Sequence, residues 1–353
     1  MKKALIAMSG GVDSSVAAKL TKDNGFECIG CTMKLYNSDY SSAKNKTCCS
    51  LEDTEDARSV AYKLGMPYYV FNFTGDFYDK VIKKFIASYE KGVTPNPCID
   101  CNRYMKFEKL YERAKLMGCE YVVTGHYAII EHKDGKYLLK KAVDSTKDQS
   151  YVLYSMTQEQ LKHTLFPLGK LNKNETREIA RTSGFWNSEK PDSQDICFVP
   201  DGDYVKFIEE NSECKIEKGS FVDKQGNSLG EHKGIVHYTI GQHKKLGLSF
   251  GKPMYVLNLN TADNTVVLGD EKDLYSSVLY ADDFNWISGV APTEPIHCKA
   301  KIRYRQSEES ATVTVCEDSR VKVEFDFPQR AITKGQAVVL YDGDIVLGGG
   351  VII

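Results

Sequence analysis

The chain has 353 residues, 42% of them hydrophobic and 27% charged, with a net charge of −2. That length exceeds one ordinary core and calls for two or three domains. The balance of charge excludes a strongly basic nucleic-acid-coating protein, and no run approaches the roughly 20 apolar residues of a membrane span.

In chain order, KALIAMS (3–9) reads as a short apolar strand, and 13–24 has helical spacing, with Val12, Val16, Ala17 and Leu20 on one side. FECIGCTM (26–33) is a second strand. LEDTEDARSVAYKLG (51–65) is a helix with acidic residues in its first turn and a glycine past its end. YYVFNF (68–73) is a third strand, 76–90 a helix, NRYMKFEKLYERAKLMG (102–118) another helix, and YVVTG (121–125) a fourth strand. This alternation implies a parallel sheet covered by helices and wound right-handedly. From about 127 the pattern changes. A hairpin turns at Asp134-Gly135, and polar helices such as 173–184 follow. Beyond about 215, alternating runs such as PMYVLNLN, ATVTVC, VKVEFDF and AVVLYDGDIVLG lie between turn clusters, the mark of small β-barrels. The expected division is an α/β catalytic domain over 1–205, a small mostly-β central domain over 206–275 and a C-terminal β-barrel-like domain over 276–353. The start, MKKALIAMSGG, is too short in its apolar run for a signal peptide, so the expected compartment is the cytoplasm, with no membrane partner.

Eleven cysteines in a cytoplasmic chain are not a disulfide framework. Cys28, Cys31, Cys119, Cys298 and Cys316 sit in core-like contexts, and Cys214 has no informative one. Cys48-Cys49, Cys98/Cys101 and Cys197 lie among loop-forming residues. Ser50 is an expected N-cap for the helix at 51, with Asp53 three residues on. His237, His243 and the pair Lys244-Lys245 are expected at the surface.

SGGVDSS (9–15) follows the first strand and opens the first helix. Gly10 and Gly11 allow a concave row of N–H groups, the helix contributes its positive end, and Ser9, Ser14 and Ser15 offer hydroxyls, so an anion is favoured there. Asp13 would repel phosphate, so it is expected either to cap the helix or to face Mg2+. No Gly-Lys-Ser/Thr follows, so this is not a Walker loop. It resembles the SGGxDS loop of the PP-loop ATP pyrophosphatases, which implies adenylation of a substrate oxygen.

In TPNPCIDCN (94–102), Cys98 and Cys101 suit a zinc site, a redox pair or sulfur handling, and a helix opening at Asn102 would lower the Cys101 pKa. Structural zinc usually wants a second such pair, which this chain lacks. In KPDSQDICFVP (190–200), Lys190, Asp192, Ser193, Gln194 and Asp195 make a polar approach to Cys197, while Ile196, Phe198 and Val199 anchor it. Two loop thiols facing each other permit a persulfide cycle, in which one carries sulfur and the other resolves it as a disulfide bond.

SGGVDSSVAA, TPNPCIDCNRYMKF, VVTGHYA, KDQSYVLY, DSQDICFV, YTIGQHKKLGL and KIRYRQ, in this order, resemble the bacterial tRNA-specific 2-thiouridylases (the MnmA family) from about residue 3 to the end. The resemblance implies 2-thiolation of a tRNA wobble uridine. It implies that Cys101 is the nucleophile and that Cys197 carries the persulfide. ATP, with Mg2+, would meet Ala7, Met8, Ser9, Gly10, Gly11, Val12, Asp13, Ser14, Met33 and Gly125. Asn96, Pro97 and Cys98 would meet the target base, and His126, Lys147, Asp148, Gln149, Arg303, Tyr304 and Gln336 the tRNA. Lys147 and Arg303 suit phosphates, and Tyr304 suits stacking on an unpaired base. The expected partners are tRNAs of the Glu, Gln and Lys type and a sulfur donor such as a cysteine desulfurase or a relay protein.

The family pattern has an aspartate where this chain has Cys98, a residue discussed there as a general acid/base. Asp100 stands nearby. Cys98, Cys101 and Cys197 together also suit a [4Fe–4S] cluster. Two further classes stay open on the residues: a PP-loop ligase acting on a small metabolite, which leaves the cysteines unexplained, and a non-catalytic metal protein, which leaves the loop unexplained.

Overall fold

The structure is a computed structural model that describes residues 1–36, 51–192, 196–199, 202–249 and 251–353. Its first sheet has five parallel strands, β1 (Lys3–Ala7), β2 (Glu27–Lys34), β3 (Tyr68–Asn72), β4 (Tyr121–Val123) and, after the hairpin described below, β7 (Thr164–Leu165). They stand in the order β3-β2-β1-β4-β7. Crossovers run through helix α1 (Val12–Asp23), helix α2 (Leu51–Lys63) and the long helices 74–90 and 97–116. Successive residues of β1 point to opposite faces. Ala4 and Ile6 pack on α1, α2 and Ala180 of helix Lys173–Thr182. Leu5 packs on Phe77, Phe85, Met105 and Leu110 of the two long helices. The two-residue strand β7 is too short to carry a periodic signal and was not expected.

Helix 97–116 begins five residues before the expected Asn102. Asn96 accepts a hydrogen bond from the Cys98 N–H through its side chain (3.2 Å), and Pro97 takes the first helical position, where its missing N–H costs nothing. The positive end of the helix therefore lies at 97–100, with Cys98 in the first turn, and not at Cys101. Residues 101–109 then widen into π-helical turns, a form frequent at functional sites.

The hairpin forms where expected. Strands β5 (Ile129–Lys133) and β6 (Lys136–Lys140) pair through a turn with both Asp134 (φ 51°) and Gly135 (φ 77°) left-handed. The central segment holds β8 (Gly219–Val222), β9 (Ser228–His232), β10 (Tyr255–Asn260) and β11 (Thr265–Gly269) in the order β10-β11-β8-β9, around Phe221, Val256, Val266 and Leu268.

The last segment is a closed six-stranded barrel. Strands β12 (Tyr275–Trp286), β13 (Ile296–Lys301), β14 (Glu309–Val315), β15 (Val321–Arg330), β16 (Ala337–Asp342) and β17 (Ile345–Ile352) run β12-β15-β14-β13-β16-β17, and β17 returns to β12. Closure removes the exposed edges that an open sheet would present. The hairpin joins this barrel, Lys140 pairing with Ile345. One buried cluster spans the join: Ile99, Phe107, Tyr151 and Tyr154 from the first domain, and Ala337, Val339, Tyr341 and Val346 from the barrel. Burying a side chain such as Ile99 there stabilises the join by about 1.5–3 kcal/mol. Cys28, Cys31, Cys119 and Cys298 are buried as expected, and Cys316 is only half-buried. Cys48, Cys49, Ser50, Ser193, Gln194 and Asp195 lie outside the described residues.

Candidate active site

The chain leaves β1 on one side of the sheet toward β2 and β3 and returns on the other through β4, so the strand order switches between β1 and β4. Open α/β sheets bind ligands at such a crevice, beyond the carboxyl ends of the strands. The loop 9–15 occupies it. Gly10 turns with φ 75°, and a Cβ there would lie 2.2 Å from the Asp53 carbonyl oxygen. Gly125, just past β4, closes the other side; its Cβ would come within 2.8 Å of the Asp13 carbonyl carbon and the Ser14 nitrogen. Ser14 Oγ accepts from the Ser9 N–H (3.1 Å) and donates to the Gly11 carbonyl (3.1 Å), and Ser15 Oγ donates to the same carbonyl (2.9 Å).

Asp13 does not cap the helix. Gly11 is the N-cap and receives no side-chain bond. Asp13 Oδ1 instead accepts from Tyr127 Oη (2.9 Å) and Lys173 Nζ (2.7 Å). This resolves the expected repulsion, because a lysine from another helix offsets the carboxylate that the loop carries. Lys173 is placed by the capping box Asn172/Glu175 at the start of its helix.

Three residues near the loop were not singled out by the sequence. Asn187, 4% exposed, donates through Nδ2 to the Gly10 carbonyl (2.8 Å) and Ser15 Oγ (3.0 Å). Lys173 is the second, and Arg177, which reaches Asp192, the third. Lys190, read only as part of a polar approach, bridges Asp53 (2.5 Å) and Asp56 (2.6 Å) on α2.

The three loop thiols come from two distant segments of the chain, 97–116 and 196–199. Cys101 and Cys197 are half-buried, and Cys98 is exposed. Cys98 and Cys101 are three apart on one helix and share a face, whereas Asp100 points elsewhere. Asp100 is 7% exposed and binds Lys84 (2.7 Å); burial raises its pKa above the usual carboxylate range against the pull of that lysine. It does not stand in for the family aspartate beside Cys98. Cys197 is rooted as expected: Phe198 packs edge-on against Phe77 (5.7 Å) and Phe85 (5.2 Å), and Val199 is buried. Cys101, Cys197, Ala7 and Met33 all border the apolar cluster built around Phe77, Phe85 and Phe198.

Among the described residues no three His, Cys, Asp or Glu side chains gather as a metal ion would need, so the expected [4Fe–4S] ligand set gains no support.

Of the residues expected at tRNA, Gln336 and Tyr304 bond across the join between the first domain and the barrel. Gln336 Nε2 donates to the Thr94 carbonyl (2.9 Å), tying the segment before Asn96 to the barrel. Tyr304, 38% exposed, donates to the Asp148 carbonyl (3.2 Å), and its phenol lies within electrostatic range of Cys98. Asp148 Oδ1 accepts from the Ala142 N–H (2.9 Å) and Gln149 Oε1 from the Tyr127 N–H (3.0 Å), so both hold loop backbone. Arg303 donates to the Ala331 carbonyl (2.8 Å) and Thr333 Oγ1 (3.0 Å), and burial lowers its pKa. Lys147 holds Asp192 (2.8 Å).

His126 is placed inside. It is 7% exposed, with Nδ1 2.7 Å from Thr124 Oγ1 and Nε2 3.3 Å from Lys106 Nζ. Burial, then Lys106, pushes its pKa well below the ordinary value. A lowered folded pKa favours the neutral ring, so its contribution to stability is present above the unfolded pKa of about 6.5 and is lost as pH falls from there toward the folded value. The melting temperature should therefore drop between pH 7 and 5, and His126→Gln should flatten that slope; an unchanged slope would show that another group sets it.

A glycine–serine loop at the switch point of a parallel sheet, followed by two small β-domains, defines a PP-loop protein of the ATP-utilising class. The tRNA methyl transferase HUP domain family matches residues 2–201, its PRC-barrel domain 205–270, and the aminomethyltransferase β-barrel domain 276–352. Over 353 residues, 99% of this chain and 98% of the relative, it is 54% identical to the tRNA-specific 2-thiouridylase MnmA of Clostridioides difficile. The enzyme of that name from Acetivibrio thermocellus is 54% identical over 99% of both chains, and MnmA 2 of Caldanaerobacter subterraneus subsp. tengcongensis is 52% identical over 99% of this chain and 97% of its own. The chain belongs to the tRNA-specific 2-thiouridylase family.

Proposed function

We propose that this chain is a tRNA-uridine 2-sulfurtransferase. It uses ATP to adenylate the C2 oxygen of the wobble uridine, releasing pyrophosphate, and then exchanges that oxygen for sulfur, releasing AMP. The observation that carries the reading is the glycine–serine loop seated at the switch point of the parallel sheet, in a chain that matches the family end to end.

The residues take the following parts. Ala7 to Ser14, with Met33 and Gly125, seat the nucleotide. Mg2+ would enter with it, Asp13 being the carboxylate that the loop itself carries, and would neutralise phosphate charge. Cys197 receives a sulfane sulfur from a donor such as a cysteine desulfurase or a relay protein. The Cys101 thiolate attacks the persulfide at the Cys197 sulfur, forming a Cys101–Cys197 disulfide. The two electrons released reduce the sulfane sulfur to hydrosulfide, which attacks C2, and AMP departs. A thiol reductant then restores both cysteines.

Catalysis belongs to 1–205, with a central domain over 206–275 and a barrel over 276–353 that meets tRNA of the Glu, Gln or Lys type. Asn96, Pro97, Cys98, Tyr304 and Gln336 lie at the join where an unstacked base would enter. No described helix is long and apolar enough to cross a membrane, and we place the enzyme in the cytoplasm.

The test is nucleotide turnover. AMP and pyrophosphate should form only when tRNA with a wobble uridine is present. Release with a small metabolite alone, and no response to tRNA, would refute the assignment in favour of a metabolite ligase.

A further inference from the structure

The barrel grips the turn that carries Cys98 and Cys101 at three points. Ahead of the turn, both backbone groups of Thr94 bond to the barrel: its N–H donates to the Lys334 carbonyl (3.0 Å) and its carbonyl accepts from Gln336 Nε2 (2.9 Å). Within the turn, Ile99 is 7% exposed and packs into the cluster that holds Ala337, Val339 and Val346 of the barrel. Behind it, Arg103 donates to both carboxylate oxygens of Asp283 on β12, Nη2 reaching Oδ1 at 3.1 Å. Arg103 stands two residues after Cys101 on the same helix.

The backbone of β12 is bent to present Asp283. The strand leaves β15 for β17 at Ala281, and its pairing with β17 is interrupted between Asp282 and Asn285. A bulge of this kind re-aims a side chain. Asp283 turns there with φ 44°, a left-handed conformation that glycine adopts without steric cost and a residue with a Cβ does not. The pair it makes is half-exposed, 33% for the Arg103 side chain and 47% for that of Asp283, so solvent screens it and it contributes little to stability. What a two-pronged guanidinium–carboxylate contact supplies is fixed geometry. The Arg103 guanidinium also lies 5.4 Å from the centre of the Tyr104 ring, which steadies it.

We infer that Asp283 is a positioning residue: through Arg103 it lets the barrel hold the Cys101 thiol in place for sulfur release. The C-terminal domain is then a splint for the catalytic helix as well as a surface for tRNA. The role given to Cys101 rests on the function proposed above; the grip on its helix does not.

The variant that tests this is Asp283→Gly, because glycine accepts the left-handed backbone and only the carboxylate is lost. Two measurements are made on the full chain. Alkylation of each cysteine, read by mass spectrometry, follows the turn directly. Cys101 should react about two- to fivefold faster, the worth of a half-exposed ion pair expressed as opening of the turn, while Cys119 in the same domain and Cys316 in the barrel keep their rates. Thiolation at saturating tRNA, ATP and persulfide donor follows the consequence. A shift of about 1 Å at a reacting group costs on the order of 100-fold, and a partial shift should lower turnover by at least about fivefold with the KM for ATP unchanged. Unchanged alkylation of Cys101 in a folded protein, or unchanged turnover beside faster alkylation, would overturn the inference. So would a rise at Cys101, Cys119 and Cys316 together, which marks a general loosening. If Asp283→Gly does not fold, Asp283→Asn decides on the same readings, since asparagine also tolerates the left-handed turn and carries no charge. An unaltered protein that thiolates no tRNA would instead sink the proposed function, and alkylation would still decide whether Asp283 holds Cys101.

Discussion

Cys197→Ser is expected to abolish 2-thiolation, by at least about 1,000-fold, as removal of a covalent group does in enzymes that work through one. A hydroxyl cannot hold a sulfane sulfur, so nothing remains for Cys101 to resolve. ATP affinity should be unchanged, because the nucleotide loop is built from Ser9, Gly11, Ser14 and Ser15 and is pinned by Asn187, none of which uses the Cys197 thiol. Folding should also persist. Cys197 is only half-buried, and its segment is anchored by Phe198 and Val199 instead. Mercury-retarding gel electrophoresis of the tRNA reads thiolation, and calorimetric titration reads ATP. A fully active Cys197→Ser protein would remove the sulfur relay from the mechanism.

Gly10→Ala is expected to destroy the nucleotide site, whereas Gly11→Ala next to it should be tolerated. The two glycines look equivalent in the sequence. Gly10 has φ 75°, which costs an alanine about 1–2 kcal/mol. Its new Cβ would sit 2.2 Å from the Asp53 carbonyl oxygen and 2.8 Å from the Asp53 Cα, both backbone atoms that cannot swing aside. Overpacking of this kind adds about 1–3 kcal/mol. Relief requires α2 to move away from the loop, which breaks the bridge from Lys190 to Asp53 and spoils the anion cradle. At Gly11 the backbone is extended, φ −83°, and the Cβ would meet only Ser9 Oγ at 3.5 Å. ATP titration and chemical denaturation of the two variants check this. Equal losses for both would show that loop flexibility, and not close approach, is what the glycines supply.

Some of this was legible in the residues because it is local. The loop SGGVDSS announces its turn through adjacent glycines and its cradle through adjacent hydroxyls. Asp134-Gly135 announces a left-handed two-residue turn, and the strands on either side pair as read. The start of helix 97–116 was also written locally, as Asn96 followed by Pro97. A helix read as opening at Asn102 overlooks that cap and that first helical position. The resemblance assigns His126 to tRNA, and the structure buries it. The residues that bury it, Phe107 and Phe166, lie on both sides of it in the chain, and no spacing rule brings them together.

The amino-acid sequence by itself determined that a parallel-sheet domain would open on a glycine–serine turn suited to an anion, and that two β-rich segments would follow. Those properties reside in short-range periodicity, turn chemistry and motif order, which neighbouring residues carry whatever the rest of the chain does. Only the tertiary structure decided that Asp13 is neutralised by Lys173, 160 residues away, that Asp192 gathers three cations, and that the hairpin is joined to the closed barrel. An ion pair between such distant residues leaves no periodic trace. The pair between Asp13 and Lys173 exists because helix Lys173–Thr182 packs beside α1 on one face of the sheet, and that packing brings the charges within reach of each other.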